Sequence, residues 1–402
     1  MFENVLGQKI TETLARDVSR NTLPNSLLFY GPKFSAKFTS ALELSRLLSC
    51  EKTGTWGCSC PSCRIHEQLL SPNLIVAGHR SCIPEIAAAR STFLRDVSVV
   101  SDEDKFFITR LLYIRAIRKL LMRFSPVLWD GSDKISKINP LLASISEAME
   151  EFSASDIEQL RKVGEKLTAG IFNDCQKLED SFLPESIPIF QIRNIRTWAS
   201  LTSSVNKKTV ILENADKMND NSRNALLKLL EEPGESTVLI LLTEKRQNII
   251  PTILSRLRSF QFVKRPDSIQ KSVIQQVFRD DSEKFASLQD FFDEFLSLPR
   301  DEIFRVASEI GEWAFYGGSY PDSDEIFRRL NKFEPKGIFK MLLAEIQKSA
   351  VPLNFERLSP ERQALFFRLP SILNDCNEQV VIYNRSPLSV LELLLHQLSL
   401  KA

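Results

Sequence analysis

The chain has 402 residues, of which 43% are hydrophobic and 26% charged, which indicates a folded globular protein of two or three domains and excludes a disordered chain. Its 52 Lys and Arg residues are balanced by 51 Asp and Glu residues, so any contact with nucleic acid must come from a local basic face or from partner subunits. Apolar runs such as Val238 to Leu242 are far shorter than the roughly 20 residues of a membrane span. The start MFENVLGQKITETL lacks the apolar core of a signal peptide. We therefore expect a cytoplasmic protein without membrane contact.

The first predicted strand, LLFY, is followed by the loop GPKFSAKF and by a predicted helix. A strand, a loop and a helix in this order are the setting of a P-loop, which binds the phosphates of ATP. Gly31 and Lys37 stand where that motif requires them. However, Phe34 and Ala36 replace glycines, at roughly 1–2 kcal/mol for each β-carbon at positive φ, and Phe38 replaces the Ser or Thr that would bind Mg²⁺. These residues alone also fit an ordinary turn with a stray lysine.

Four of the seven cysteines lie close together after this helix, at Cys50, Cys58, Cys60 and Cys63. Four thiolates suffice for a closed tetrahedral zinc site, and the two-residue spacing of Cys60 and Cys63 lets both sulfurs face one ion. The clustering fits a reducing compartment with a metal site better than a secreted disulfide framework. We predict structural Zn²⁺. His66 could replace Cys58 or Cys50 as a ligand, but we expect this histidine to face solvent.

Helical patterns fill the segment of about residues 81–183, which we predict to be a helical hairpin or a small bundle. Within EDKFFITRLLYIRAIRKLLMRF, one face carries residues at helical spacing, namely Phe107, Leu111, Ile114 and Arg118. Positive charge lies around the opposite side, at Arg110, Arg115, Lys119 and Arg123. A basic amphipathic helix can touch DNA or a membrane surface, but it is more often a solvated face over a packed stripe. The sequence pattern of this segment indicates no specific function.

The segment from Thr209 to Phe262 predicts a parallel βαβ unit, with the strand TVILE, the helix NALLKLLEEP and the strand TVLILLT, followed by TILSRLRSF. In a hydrolysing site the first of these strands ends in Asp-Glu, whose Asp holds Mg²⁺ and whose Glu activates the attacking water. This chain has Glu213-Asn214 instead. An amide cannot take a proton, so Asn214 is a poor base, although Glu213 could still bind a cation. We therefore expect a degenerate, inactive nucleotide site at Gly31, Lys37 and Glu213.

Residues 1–80 and 184–262 together resemble the AAA+ module of bacterial clamp-loader subunits. The resemblance rests on the opening FENVLGQKITETLARDVSRNTLPNSLLFYGP, on IFQIRNIRTWASLTSSVNKKTVILENADKM, and on NALLKLLEEP followed by TILSR. It implies an α/β AAA+ fold, in which a P-loop-type parallel sheet has helices on both faces, followed by all-α lid and collar domains. The predicted domains are an AAA+ core at 1–264 with a zinc-binding loop at 50–63 and a helical insertion at about 81–183, a helical lid at 265–312 and a helical collar at 313–402.

Within that family, the broken P-loop and the Glu-x-Ala-Asp-Lys-Met strand end look like the delta-prime type of subunit rather than the gamma/tau ATPase type. The resemblance implies a non-hydrolysing subunit of the DNA polymerase III clamp-loader complex, which helps to load the sliding clamp onto primed DNA and has no enzymatic activity of its own. The implied partners are the gamma/tau ATPase subunits, the delta subunit, the sliding clamp and, through the assembled complex, primer-template DNA. ATP is not expected to bind.

The resemblance also assigns roles to single residues. The family's Ser-Arg-Cys motif matches Ser-Arg-Leu at 255–257, which lacks the cysteine but keeps the arginine. Arg256 is therefore implied to be an arginine finger, which enters a neighbouring subunit's ATP site and stabilises charge on the transferred phosphate. Thr243 matches the family's polar sensor position, although a strand-end cap is an equal alternative. The family has a comparable four-cysteine module, but this chain separates Cys58 and Cys60 by one residue where the family usually has two.

Two other functions stay open from the sequence. The first is a gamma/tau-like clamp-loader ATPase with a degenerate but working site, against which Phe34, Ala36, Phe38 and Asn214 argue. The second is a zinc-bearing nucleic-acid binder in which the AAA+ core is only a scaffold. That function would need a basic groove, which the composition does not indicate.

Overall fold

A computed structural model describes residues 1–99, 103–201, 207–234, 236–295, 300–330, 335–349, 355–381, 383 and 385–399. The chain divides into two compact units, Met1–Leu296 and Ser297–Ala402. The finer division into a core at 1–264, a lid at 265–312 and a collar at 313–402 stays a prediction.

The first unit is built around a five-stranded sheet in which all neighbouring strands are parallel. The strands are β1 (Ser26–Tyr30), β2 (Leu74–Ala77), β3 (Lys208–Leu212), β4 (Thr237–Thr243) and β5 (Arg258–Gln261). Their order across the sheet is β2-β3-β4-β1-β5, so β4 is central. Because the strands are parallel, the residues that follow β1, β3 and β4 meet at one edge of the sheet. The predicted parallel sheet is confirmed.

Helices of the first unit lie on both faces of this sheet, as predicted. Successive strand residues point to opposite faces, so Phe29 packs in one hydrophobic core with Leu44, whereas Leu28 packs in another with Leu226. The helices are α1 (Ile10–Ser19), α2 (Lys37–Ser49), α3 (Pro61–Glu67), α4 (Ile83–Val99), α5 (Glu103–Leu121), α6 (Pro126–Trp129), α7 (Ile135–Ala154), α8 (Ile157–Phe182), α9 (Ile189–Ser200), α10 (Asp220–Glu231), α11 (Pro251–Leu254), α12 (Asp267–Phe278) and α13 (Leu288–Glu294).

The helices α4 to α8 form the insertion between β2 and α9. An aromatic cluster joins three of them, since the ring of Phe152 in α7 lies edge-on to Phe93 in α4, at 4.9 Å between centroids, and to Tyr113 in α5, at 5.4 Å. The hydroxyl of Tyr113 donates to the carbonyl of Thr168 in α8 at 3.0 Å. The start of α8 is fixed by a capping box, in which Asp156 and Gln159 satisfy each other's backbone amides.

The buried face of α5 differs in part from the predicted one. Ile114 is buried as the predicted stripe requires, but Phe107 is 55% exposed, and the other buried side chains are Phe106, Thr109, Tyr113, Ala116, Ile117 and Leu120. Both sets have helical spacing, because apolar residues occur around most of this helix. The aromatic partners on α4 and α7 decide between the two, and no local pattern records those partners.

The second unit is helical in all its described elements, which are α14 (Arg300–Tyr316), α15 (Ser323–Leu330), α16 (Pro335–Ser349), α17 (Pro360–Val381) and α18 (Pro387–Leu398), besides a short 3-10 turn at Phe355–Arg357. They share one hydrophobic core, which includes Ile310, Leu342 and Leu394. Across the described parts of both units, no helix combines the length and the apolar character that crossing a membrane requires.

Candidate functional site

The loop between β1 and α2 keeps the backbone shape of a phosphate-binding turn. Phe34 and Ala36 have φ values of 56° and 66°, so they adopt the left-handed conformations for which the motif uses glycine. At Gly31, with φ of 152°, a β-carbon would lie 2.1 Å from the carbonyl oxygen of Phe262. Glycine is therefore required at residue 31, whereas the two substituted positions tolerate a side chain at a conformational cost.

Lys37, the first residue of α2, is directed into its own loop. Its ammonium group donates to the carbonyl oxygens of Gly31 at 2.6 Å and Pro32 at 2.7 Å, and to the hydroxyl of Ser35 at 3.3 Å. Burial lowers the pKa of Lys37 to about 8, against the opposing attraction of nearby carboxylates. All three ammonium protons thus have protein partners in this conformation.

Glu213, which follows β3, is held by two arginines from distant parts of the sequence. Arg123 pairs with its Oε2 atom, and Arg80 donates to its Oε1 atom at 3.3 Å. Phe38 lies beneath both guanidinium groups, with its ring centroid 4.8 Å from Cζ of Arg80 and 5.3 Å from Cζ of Arg123. An aromatic face that attracts cations thus stands where a hydroxyl would ligate Mg²⁺. The guanidinium groups of Arg80 and Arg123 thus pair with both oxygens of the carboxylate that a metal ion would need as a ligand.

Sequence reasoning named Glu213 and Phe38 but missed the role of Arg80 and Arg123. Arg123 was noted only as one of four basic residues around one side of the predicted amphipathic helix. Its partner lies 90 positions further along the chain, and neither residue stands in a motif that would link them. No sequence signal was available to find this pair.

Two further polar residues at this edge of the sheet, Asn214 and Thr243, each hydrogen-bond to nearby groups. Asn214 has a left-handed backbone, with φ of 52°, and its side-chain amide donates to the carbonyl of His79 at 2.7 Å. The hydroxyl of Thr243 donates to Asp216 at 2.6 Å and accepts from the backbone amide of Lys245 at 3.0 Å. The contact with Lys245 is that of a strand-end cap.

Arg256 lies on the surface between α11 and β5. Its side chain is 37% exposed and donates to the carbonyl of Thr252 at 2.8 Å and to the carboxylate of Glu231 at 2.7 Å. Glu231, the last residue of α10, is itself 50% exposed. A depression beside this ion pair is lined by side chains of α9 and α10 and the residue after it, namely Arg196, Thr197, Ser200, Lys228, Glu231 and Glu232.

The four clustered cysteines come together as predicted. Their sulfur atoms all lie within 4.8 Å of one another, with Cys50 at 3.7 Å from Cys58 and at 4.0 Å from Cys60. Sulfurs bound at about 2.3 Å around one tetrahedral Zn²⁺ would be roughly 3.8 Å apart. Cys63 completes the group, and the donor set therefore fits a metal ion that prefers thiolates.

Groups around the cysteines supply the donors that a cluster of thiolates needs. The buried guanidinium of Arg46 donates to the sulfur of Cys63 at 3.0 Å, and it is held in place by a bidentate pair with Glu43. The backbone amide of Gly54 donates to Cys50 at 3.3 Å. Such contacts orient ligands and offset their negative charge.

The expectation that His66 faces solvent is wrong. Its side chain is buried, only 5% of the residue is exposed, and burial, aided by the charge of Arg46, lowers its pKa to about 4. It is not in the group of candidate ligands. His66 lies on α3, which packs against α2, and that packing covers it.

The parallel sheet, the P-loop-like turn and the helical second unit define an AAA+-type protein. A family model described as "DNA polymerase III, delta subunit" matches residues 7–266, which is more than half of the chain. The chain belongs to this family of clamp-loader subunits, and the predicted resemblance to the delta-prime type is confirmed.

Curated relatives with the name "DNA polymerase III subunit delta'" agree with this assignment. The protein of Pseudomonas aeruginosa is 38% identical over 96 residues, which cover 24% of this chain and 29% of that protein. The protein of Bacillus subtilis is 33% identical over 114 residues, which cover 26% and 35%. The matches thus span about a third of each relative. A solved structure of a DNA polymerase III gamma subunit-related protein from Thermotoga maritima is 22% identical, covers 52% of this chain and 78% of that chain, and has a TM-score of only 0.31.

Proposed function

We propose that this chain is a non-hydrolysing, delta-prime-like subunit of the DNA polymerase III clamp loader, which helps to load the sliding clamp onto primed DNA. Its own nucleotide site is inactive, and it supplies Arg256 as an arginine finger to a neighbouring ATPase subunit. The observation that carries the first part is the pairing of Glu213 with Arg123 and Arg80. The observation that supports the second is the exposed, lightly held guanidinium of Arg256.

Hydrolysis needs a metal ligand, a base and a lysine that reaches the phosphates. Glu213 is occupied by two guanidinium groups, Asn214 has no basic group, and Lys37 donates to its own loop. Phe38 offers no oxygen to Mg²⁺. These four features together argue against the gamma/tau-like ATPase.

A finger must be accessible and must leave its resting partner at low cost. An ion pair between two exposed side chains contributes only about 0–1 kcal/mol, so Glu231 can release Arg256 to a phosphate with little loss. The depression beside Arg256 carries Lys228 and Arg196 but also Glu231 and Glu232, so the charge offered to a phosphate is that of Arg256 itself.

The proposed partners are the gamma/tau ATPase subunits, the delta subunit, the sliding clamp and, through the assembled complex, primer-template DNA. The proposed location is the cytoplasm, where these proteins replicate the bacterial chromosome. The chain is not expected to be an enzyme by itself.

We also propose that Cys50, Cys58, Cys60 and Cys63 hold one structural Zn²⁺. Four thiolate ligands leave no open coordination position, so the metal would crosslink the loop to α3 and take no part in a reaction. Metal analysis of protein purified without chelator should find about one zinc per chain. Protein that is folded but free of zinc would refute this site.

The finger is tested by reconstituting the complex with Arg256→Ala. Arginine fingers contribute about 10³–10⁵-fold to turnover at the site they complete, so hydrolysis at the one neighbouring ATP site should be almost lost, while the remaining sites continue. Arg258→Ala is a matched control, because Arg258 is two residues away, similarly exposed and paired with Asp17. An ATPase rate equal to that of the wild-type complex would remove the finger role.

The inactive site is tested by titrating the isolated chain with Mg–ATP in a calorimeter. We expect no binding at micromolar concentrations. Micromolar affinity would support the gamma/tau-like alternative instead.

A further inference from the structure

The basic residues of the insertion are directed to partners within the first unit, some of them in the insertion itself. Arg110 donates to the carbonyls of Ser153 and Ser155, Arg115 to that of Glu67, and Lys119 pairs with Glu85. Arg123, in the short 3-10 turn Met122–Phe124 after α5, pairs with Glu213. The positive charge that the sequence displays is therefore used inside the protein.

Arg123 spans the ends of two strands. Its side chain is only 1% exposed, and its Nε atom donates to the carbonyl of Gly78, which follows β2, at 3.2 Å. Gly78 has φ of 105°, and a β-carbon there would lie 2.2 Å from the carbonyl oxygen of Glu213. The carbonyl of Arg123 accepts a hydrogen bond from the indole of Trp129 at 2.9 Å. Glu213 and Gly78 thus hold the guanidinium, and Trp129 holds the backbone of the same residue, at the place where β2 and β3 end.

A metal ion at Glu213 would have to displace this guanidinium. The displaced charge would remain buried without a partner, which costs several kcal/mol. Arg80 holds the second carboxylate oxygen, so both oxygens of Glu213 face a positive charge. The two guanidinium groups therefore occupy the position at Glu213 that a metal cation would take.

A second set of contacts joins the insertion to α12. In α4, the hydroxyl of Thr92 donates to the carbonyl of Phe278 at 3.1 Å, and Arg95 donates to the carbonyls of Phe278 and Arg279 at 2.7 and 2.9 Å. Asp96 pairs with Arg279 at 2.9 Å. The cation of Arg95 thus satisfies carbonyls at the C-terminal end of α12, where positive charge is favourable.

The loop after β1 reaches the same region. The ring of Phe34 stacks on Phe292 of α13, with 5.6 Å between centroids and 17° between the planes. Phe34 packs with the small core that contains Ala88 of α4 and Phe278 of α12. A side chain at a former glycine position therefore joins the phosphate-binding turn to α13.

We propose that the insertion is an internal brace: its Arg123 takes the place of a metal ion at Glu213, while Thr92, Arg95 and Asp96 hold α12, so that the sheet edge, the loop 31–36 and the helices α12 and α13 keep one arrangement without nucleotide. This brace deepens the proposed function, because it names what occupies the inactive site. It also gives the insertion a role inside the subunit.

The test is hydrogen–deuterium exchange of the full chain, read separately over residues 31–37 and 267–295. Arg123→Ala should raise exchange at 31–37 at least about tenfold and lower the melting temperature by about 5–10 °C. Asp96→Asn combined with Arg95→Ala should raise exchange at 267–295 while leaving 31–37 unchanged. Arg223→Ala, which breaks an exposed pair with Asp220, is the control and should change neither region.

A second variant covers the case in which Arg123→Ala does not fold. Arg123→Met with Glu213→Gln removes the charges of Arg123 and Glu213 together and leaves Arg80 paired with Glu85, so it should fold and still show raised exchange at 31–37. Wild-type exchange in both regions of these variants would overturn the brace. Such a result in a chain that binds no Mg–ATP would leave the proposed function standing, whereas Mg–ATP binding by the wild-type chain would refute the inactive site itself.

Discussion

Two arginines of this chain make ion pairs with glutamates, and their surroundings give them opposite properties. Arg123 is 1% exposed and lies against Glu213, which has Arg80 on its other oxygen. Arg256 is 37% exposed and shares Glu231 with solvent. The first pair cannot separate without leaving a buried charge, whereas the second can separate into water. Burial therefore distinguishes an arginine that is locked in its ion pair from one whose ion pair is open to solvent.

The comparison predicts its largest effect at Glu213. Glu213→Ala leaves the guanidinium of Arg123 buried and unpaired, so the free energy of unfolding should fall by about 3–5 kcal/mol. Urea denaturation of the isolated chain measures this change. A loss below about 1 kcal/mol would mean that Arg123 reaches water and that the two pairs do not differ as described.

Arg46 is a third arginine and is also buried. Its guanidinium donates to the sulfur of Cys63 in the cysteine cluster. Arg46→Ala should weaken zinc binding by about 10–100-fold, the usual effect of removing a group that supports metal ligands. Competition with a chelator of known affinity measures this change. Arg64→Ala, in the neighbouring helix α3 and exposed, is the control. Equal affinities of Arg46→Ala and the wild type would contradict the role of the buried arginine.

Lys37 sharpens the comparison through pH. Its pKa is lowered to about 8 in the folded protein from 10.5, so the unfolded chain binds more protons between these values and stability rises with pH across that window. Below pH 8, Lys37 is protonated in both the folded and the unfolded protein, so the folded state carries the full free-energy cost of burying its ammonium group. The stability of wild type relative to Lys37→Met should therefore increase by about 1–2 kcal/mol from pH 8 to 10.5, allowing for partial exposure of the lysine. A difference that stays constant over this window, in denaturation curves at several pH values, would show that the ammonium is well solvated.

The smallest effect is expected at Glu231. Glu231→Ala removes the resting partner of Arg256 and should change the free energy of unfolding by no more than about 1 kcal/mol. The same denaturation experiment as for Glu213→Ala measures it, so the two variants form a direct pair. A loss as large as that of Glu213→Ala would show that Arg256 is a structural residue and not an available one.

Local patterns predicted much of this molecule correctly. Continuous apolar runs predicted β1, β3 and β4, because a strand that is covered on both faces has to be apolar throughout. The spacing of Cys60 and Cys63 and the crowding of Cys50 and Cys58 predicted the thiolate cluster, since ligands that are close in sequence can meet without help from the rest of the fold. All of these features depend on neighbours in the sequence.

Three features depend on contacts between residues that are not neighbours in the sequence, and these features were missed or predicted wrongly. Phe107 was placed on the buried face of α5 because apolar residues surround the helix, but it is exposed, since the rings of Phe93 and Phe152 select the side that is buried. His66 was expected in solvent but is covered by the packing of α3. The partner of Glu213 was missed because Arg123 precedes it by 90 residues.

The sequence by itself determined the parallel sheet and the cluster of four cysteines, because each depends on residue type and short spacing. The tertiary structure alone decided what pairs with Glu213 and which arginine stays accessible. The physical reason is that charge and burial act through space: a guanidinium is locked or available according to the side chains that surround it, and here those side chains come from distant parts of the chain.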